Sequence, residues 1–434
     1  MAGKHRKAGG RPGAAAREAG RTTTPLLEFV AESDFHFVQH NASPRARQEG
    51  RGGERYLTTS QEFANQVLAA RPHQFRVLEG RARLRCLPRK QWGRRAFRGK
   101  RVLFLLPMAA LGENVATLLF LHAFAERHGP AAVGVFCARS ACDIYYATDL
   151  ARVYPLWIPR RELKSWDVVI DLDQLESRRD IEIWPVDMES ELLAAFGLEP
   201  SPRFPSGPRA VPPDRPLVIG ILPLASSPLR TLPPSATLAL ARALAPHGRV
   251  RLCLNRYQHQ GRLYMRGLGR DLPAGVAVVE AFDSIGGLMA EIARFDYAVY
   301  ADSGPAHISK LFAAPGLAVY SSAPGDVLQG RFTNLARWTV PFEGPHCRAP
   351  CGLAKVRRTA DGRVGCMGSL GVGLAELPGT PGSGDASTVE RLLLEQPVPC
   401  MARLAADPAP LVEFVLADLA SRREKRCQTP FFQK

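Results

Sequence analysis

The stretch Asp302-Ser303-Gly304-Pro305-Ala306-His307 gathers an acid, a hydroxyl, a glycine, a proline and a histidine within six positions. It follows the apolar run Tyr297 to Ala301, which reads as a buried strand, and it opens a helix expected over Pro305 to Ala313. Pro305 suits the first helical position, where its missing N–H would be unpaired anyway, and Gly304 permits a ligand to approach the backbone closely. The exposed N–H groups of such a first turn, with the helix dipole behind them, suit a diphosphate. Ser303 can cap the turn or donate to phosphate, and His307 can hydrogen-bond phosphate or sugar. The same pattern also fits a plain strand-to-helix connection in which Asp302 and Ser303 only cap the helix.

A second grouping lies later in the chain. Cys347, Cys351, Cys366 and Cys400 are separated by 3, 14 and 33 residues in a loop-rich segment. Four thiolates complete a tetrahedral site, and such a segment gains most from that kind of staple. Thiolates suit iron or zinc, and spacing does not separate the two. His346, beside Cys347, is an alternative ligand, and buried reduced thiols are the competing reading. Cys86, Cys137, Cys142, Cys253 and Cys427 are scattered and read as small apolar fillers.

The elements that must position these residues follow a repeating α/β pattern. Val102 to Leu106 reads as a buried strand, followed by a turn Ala109 to Asn114 and a helix Val115 to Arg127. Further strands are expected at Ala132 to Phe136 and Trp166 to Asp173. Seven prolines between Glu199 and Pro216 exclude regular structure and mark a linker. The pattern then restarts, with strands at Leu217 to Leu222, Val250 to Leu254, Val276 to Val279, Tyr297 to Ala301 and Leu317 to Tyr320. Helices are expected at Ser235 to Leu244 and Ser284 to Arg294. Alternation of this kind predicts parallel sheets covered on both faces, here as two Rossmann-like halves. A capping box, Ser387 with Glu390, marks a short helix, and a last helix over Pro410 to Arg423 is expected to pack back across the domains.

DSGPAH with its helix and the strand PGLAVY resembles the donor motif of glycosyltransferase family nine, the bacterial heptosyltransferases. The resemblance covers about residues 101 to 345 and implies a GT-B fold with a donor nucleotide sugar, usually ADP-heptose, contacted by Asp302, Ser303, Gly304 and His307. In PLASSPLRTLP it implies phosphate-contacting roles for Ser226 and for Arg230, which stands where the family carries lysine. Guanidinium also neutralises phosphate and can donate two parallel hydrogen bonds. In MAALGENVATLLFL it places Glu113 where the family has the aspartate that acts as general base, with inversion at the anomeric carbon and no catalytic metal. A first-turn acid favoured by the helix dipole is the other reading of Glu113. The late cysteine quartet and the long N-terminal extension are similar to the autotransporter heptosyltransferase subgroup. That similarity implies a Cys-ligated iron and ring-shaped homo-oligomers.

At 434 residues the chain is long enough for two domains and extra segments. The expected layout is a basic, partly disordered extension over 1–95, an acceptor domain over 96–205 and a donor domain over 206–343. A Cys-rich metal-binding segment over 344–402 and a C-terminal helix and tail over 403–434 complete it. Residues 1 to about 50 read as disordered except for an apolar patch near Pro25 to Val30. The net charge is +16, and residues 1–100 alone hold 21 Lys or Arg against 8 Asp or Glu. That arm suits RNA, anionic lipid or an acidic partner, or is a solvated basic tail. Few aromatics interleave with the charges, which argues against nucleic acid. No run approaches a membrane span, and the opening residues lack the apolar core of an export signal, so a reduced, cytoplasmic setting is expected. The combined expectation is an inverting sugar transferase acting on a glycan or protein hydroxyl. A non-catalytic nucleotide-sugar-binding or scaffold protein with a degenerate site is the alternative.

Overall fold

The structure is a computed structural model and describes residues 22–37, 48–58, 68, 70–106, 110–137, 141–176, 187–255, 259–269, 271–344, 348–350, 390–395 and 397–424. Cys347, Cys351, Cys366, Cys427 and the Ser387 capping box lie outside the described residues.

The first unit is antiparallel. Strands β1 (Thr22–Ala31), β2 (Phe35–Phe37), β3 (Gln48–Gly50), β4 (Arg55–Thr58) and β5 (Phe75–Cys86) precede the first Rossmann-like half. In the main sheet β1 lies between β4 and β5. The apolar patch near Pro25 to Val30 forms a ten-residue central strand, Thr22–Ala31. Averaged composition hid a local cluster: Phe29, Phe35, Tyr56, Phe75 and Trp157 are all buried together, with Phe35 and Phe75 edge-to-face at 4.8 Å. Such ring pairs supply apolar burial that the surrounding Gly and Arg conceal.

The first parallel half follows as β6 (Arg101–Leu106), α1 (Leu111–His128), β7 (Ala132–Cys137), α2 (Cys142–Tyr146), β8 (Ala151–Tyr154), β9 (Ile158–Pro159), β10 (Val168–Asp171) and α3 (Met188–Phe196). Its sheet runs β10-β6-β7-β8, all parallel, while β9 leaves to pair with β4 and stitches the N-terminal sheet to this half. Helix α1 begins at Leu111, earlier than the expected turn through Asn114. Asn114 is buried and its side chain donates to the Ala110 carbonyl at 2.8 Å while accepting from the Tyr145 hydroxyl, which starts the helix sooner.

Residues 199–216 carry no regular element, as seven prolines require, yet the segment is pinned. Arg209 donates to the carbonyls of Ala293, at 2.6 Å, and Phe295, satisfying acceptors at the end of a helix in the next half.

The second half comprises β11 (Leu217–Leu222), α4 (Pro234–Leu244), β12 (Gly248–Cys253), α5 (His259–Leu268), β13 (Ala277–Val279), α6 (Ile285–Arg294), β14 (Tyr297–Ala301), α7 (Gly304–Ile308), β15 (Gly316–Tyr320), α8 (Gly325–Gln329) and β16 (Leu335–Thr339). Its six strands run β13-β12-β11-β14-β15-β16, all parallel, the doubly wound order with its reversal between β11 and β14. Strands β14 and β15 are buried throughout, as sheets covered on both faces demand.

Two helices close the described chain, α9 (Pro399–Ala406) and α10 (Ala409–Glu424). Helix α10 does not span the halves as expected. It buries Leu411, Val415 and Leu419 in the second core, and its Asp418 accepts from Tyr297 at the second sheet. The two halves instead meet directly through one continuous apolar cluster that includes Phe104, Phe120, Ile292 and Ala306. Among the described residues, no helix is long and apolar enough to cross a membrane.

Candidate functional site

Ligand crevices in open α/β sheets form where strand order reverses, beyond the carboxyl ends of the strands. In the second sheet that point lies between β11 and β14. The loop after β11 carries Ser226 and Arg230, and the turn after β14 carries Asp302 and Ser303. Residues separated by about 70 positions in sequence are thereby brought together.

The loop after β11 is held by its own hydrogen bonds. Thr231 Oγ1 accepts from the Ala225 N–H at 3.1 Å and donates to the Ser227 carbonyl at 3.1 Å, and Leu232 N–H donates to Pro223 O at 2.9 Å. This fixes Arg230. Its Nη1 donates to the Asp302 carbonyl at 3.0 Å and lies 3.5 Å from Asp302 Oδ1, while Nη2 donates to Ser226 Oγ at 2.8 Å. Arg230 Nε is buried and has no partner among the described residues. The Arg230 side chain is 14% exposed and that of Asp302 only 3%, so the guanidinium is the solvent-side member of the pair. Burial pushes the Asp302 carboxyl above the ordinary carboxylate range, opposed by Arg230 and by the Ser322 hydroxyl, which donates to Oδ2 at 3.5 Å.

Neither Asp302 nor Ser303 caps α7 with its side chain. The Asp302 carboxyl is tied to Arg230 and Ser322, and Ser303 Oγ donates back to Ala301 O at 3.2 Å. The simple capping arrangement is therefore absent. Ser303 contributes only its carbonyl, which accepts from Ala306 N–H at 3.0 Å. Helix α7 is one turn shorter than expected, passing into a 3-10 turn over Ser309–Phe312 that ends at Ala313 with φ of 47°.

The first turn of α1 leans directly on this site. A Cβ at Gly304 would stand 2.7 Å from Leu111 Cβ, and one at Gly112 would stand 2.9 Å from His307 Cδ2. The two glycines interlock the first turns of the two halves, so Gly304 here accommodates Leu111, and the halves are in close contact at this point. The half-buried His307 ring is held well below the ordinary histidine range by burial and by the cations Lys310 and Arg230. A neutral imidazole offers one donor and one acceptor. Glu113 follows immediately in the same turn, half-buried, with no hydrogen bond or ion pair among the described residues.

Several residues of the site and its frame were not singled out from sequence. Ser321 and Ser322 follow β15 at the same carboxyl edge, and Ser321 Oγ donates to Leu229 O at 3.1 Å, bracing the Arg230 loop. Paired small hydroxyls directly after an apolar strand were the available signal. Between the halves, Arg331 donates to both carboxylate oxygens of buried Glu189 at 3.0–3.3 Å, and Asp143 accepts from the Gly286 N–H at 2.8 Å at the start of α6. Buried Lys310 donates to Leu328 O at 2.7 Å, and burial lowers its ammonium to about 8 against Asp187 and Glu189. No local pattern marks such pairs.

Of the cysteine quartet only Cys400 is described, half-buried in the first turn of α9. Among the described residues no three His, Cys, Asp or Glu are arranged to hold a metal ion. Cys86, Cys137, Cys142 and Cys253 are buried, as apolar fillers are.

A guanidinium, several hydroxyls, a neutral imidazole and a helix start, set around a buried carboxyl, suit recognition of an anionic group rather than nucleophilic attack. No family model matches the chain, and no curated protein matches it. Among solved structures it is similar to E. coli heptosyltransferase WaaC with ADP, at 15% identity over 55% of this chain and 93% of that one, TM-score 0.41. It is also similar to the glycosyl transferase family 9 protein from Veillonella parvula, at 14% identity, 56% and 87% coverage and TM-score 0.44. The dodecameric iron-containing heptosyltransferase TibC, known from enterotoxigenic E. coli, matches in its complex with ADP-D-beta-D-heptose at 10% identity, 92% and 93% coverage and TM-score 0.43.

Proposed function

We propose that the chain is an inverting glycosyltransferase that moves a heptose or similar sugar from a nucleotide diphosphate, ADP-heptose foremost, to a hydroxyl on a glycan or protein. The observation that supports it is the Arg230–Asp302–Ser226 constellation at the reversal point of the second sheet, set against the turn that bears Glu113. In this reading the acceptor hydroxyl attacks the anomeric carbon as the bond from that carbon to the phosphate oxygen breaks. The electron pair leaves with the nucleoside diphosphate, and the proton passes to the Glu113 carboxylate. Arg230, Ser226 and the N–H groups opening α7 meet the charge that builds on the leaving group, joined by the Ser303 hydroxyl when it turns from the Ala301 carbonyl. Asp302 positions Arg230, and His307 contacts phosphate or sugar. The sugar then lies between the two interlocked first turns, so the Leu111–Gly304 contact opens when donor binds.

Two variants separate the roles. Glu113→Gln is expected to lower kcat by about 10²–10⁴-fold with donor affinity unchanged, measured by calorimetry with ADP-heptose and by product formation. Arg230→Gln is expected to weaken donor binding by about tenfold or more, since a charge-assisted hydrogen bond contributes about 1.5–3 kcal/mol. Equal turnover by Glu113→Gln and wild type would remove the catalytic assignment and leave a nucleotide-sugar-binding protein. The same reading gives Cys347, Cys351, Cys366 and Cys400 a structural iron or zinc and the chain a homo-oligomeric state. Metal analysis with Cys351→Ser as control, together with light scattering, tests both.

A further inference from the structure

Between the N-terminal sheet and β6 the chain reads RKQWGRRAFRGKR, residues 89–101. It forms a 3-10 helix over Arg89–Arg94 and an extended exit, fixed by two aromatics turned inward. Trp92 is fully buried, donates to Leu87 O at 2.9 Å and stacks on Phe196 at 5.0 Å. Phe97 is fully buried against Phe124 and His128 at the end of α1. Gly99 N–H donates to Gly129 O at 3.0 Å, so the C-terminal end of α1, with Arg127, adjoins the segment.

With both rings used as anchors, the cations are left outside. Lys90, Arg94, Arg95, Arg98, Lys100 and Arg127 are all exposed, and none has an acidic partner among the described residues. The nearby acids are engaged elsewhere: Glu191 lies 3.5 Å from Arg89, Asp167 accepts the Arg101 N–H, and Glu126 accepts from Ser201. The segment therefore presents a group of exposed cations that no acid among the described residues neutralises.

We propose that this patch docks the protein on an anionic lipid bilayer. A flat field of phosphates rewards clustered Lys and Arg without requiring any pocket or directional readout, and the patch offers charge alone. Single-stranded nucleic acid is the poorer fit, because it binds through bases stacked on exposed rings, and both rings here are fully buried. The surface is distinct from the Arg230–Asp302 site, so the proposal stands or falls independently of the sugar-transfer reading.

The test is co-sedimentation of the full chain with vesicles of phosphatidylglycerol mixed with phosphatidylcholine, against pure phosphatidylcholine. Binding is expected only to the anionic vesicles and should weaken steeply as salt shortens the screening length from ~10 Å at 0.1 M to ~3 Å at 1 M. Each cation near an anionic leaflet corresponds to about a fivefold change in partition, so Arg95→Gln with Arg98→Gln should lose roughly 25-fold. Arg249→Gln with Arg294→Gln removes the same charge from exposed positions of the second half and should leave binding unchanged. Circular dichroism of both variants checks that a loss of binding is not a loss of folding. Equal losses in the two double variants, or none in the first, would overturn the proposal. So would displacement from the vesicles by a short single-stranded RNA that the Arg95/Arg98 variant fails to bind.

Discussion

Replacing Arg230 by Met tests the centre of the site most directly. Among the described residues, the substitution removes the only cation within reach of the Asp302 carboxyl, whose side chain is 3% exposed, and leaves it with the 3.5 Å contact from Ser322. It also deletes the bonds to Asp302 O and Ser226 Oγ. Breaking a buried ion pair from one side costs about 3–5 kcal/mol. The 14% exposure of Arg230 lets some water reach the orphaned carboxyl and places the expectation near the lower end, about 3 kcal/mol. Asp302→Asn should cost less, about 1–2 kcal/mol, because Arg230 keeps the Asp302 carbonyl and Ser226. The double variant should fall short of the summed losses by about 1–3 kcal/mol. Urea unfolding at pH 7 with an unchanged slope reads these values directly. The pH dependence has a definite sign. Burial already holds the native carboxyl above its unfolded value, so the native state binds the proton more tightly. The charge penalty is then complete above the native pKa and fades as the pH falls toward about 3.9. The Arg230→Met deficit should accordingly shrink on acidification. A loss within about 0.5 kcal/mol, with no coupling to Asp302, would show Arg230 to be a solvated loop arginine and would refute the reasoning.

Further outcomes follow from the same contacts. Gly304→Ala places a Cβ 2.7 Å from Leu111 Cβ and should lower stability by about 1–3 kcal/mol; thermal unfolding should show a smaller loss when the same change is made in a Leu111→Gly background, which removes that Cβ. His122 is buried against Phe204, and burial, with Arg203 beside it, lowers its ring to about 4. Stability should therefore fall as the pH drops from about 6.5 toward 4, where the unfolded state takes the proton first, by roughly 3 kcal/mol. His122→Phe should flatten that part of a urea-midpoint profile. Asp143→Ala removes the acceptor for Gly286 N–H at the start of α6 and should cost about 1 kcal/mol, whereas restoration by Asn would identify the hydrogen bond rather than the charge as its cause.

Much of the frame was legible because it depends on neighbours along the chain. Continuous apolar runs gave most of the strands of both parallel sheets, proline density gave the linker, and the small residues after β14 marked the turn at Asp302. Boundaries moved where a distant partner intervened. Helix α1 starts at Leu111 because Asn114 finds Ala110 and Tyr145, and α10 settled on the second core through Leu411, Val415 and Leu419. Of the N-terminal sheet only the apolar patch near Pro25 to Val30 was legible, because the composition there is polar on average, while the five rings that pack together are drawn from positions 29 to 157.

The sequence by itself determined the alternation of strand and helix and the turn chemistry of Asp302 to His307, since backbone preference and side-chain period act within a few residues. Only the tertiary structure decided what those residues face. It joined Arg230 to Asp302 across 72 positions and Glu189 to Arg331 across 142, and it set Leu111 on Gly304. The glycine that looked like room for a ligand is, in the fold, room for the other half of the protein. Close packing assigns that space by where two separately formed surfaces meet, and no local pattern of residues encodes the meeting point.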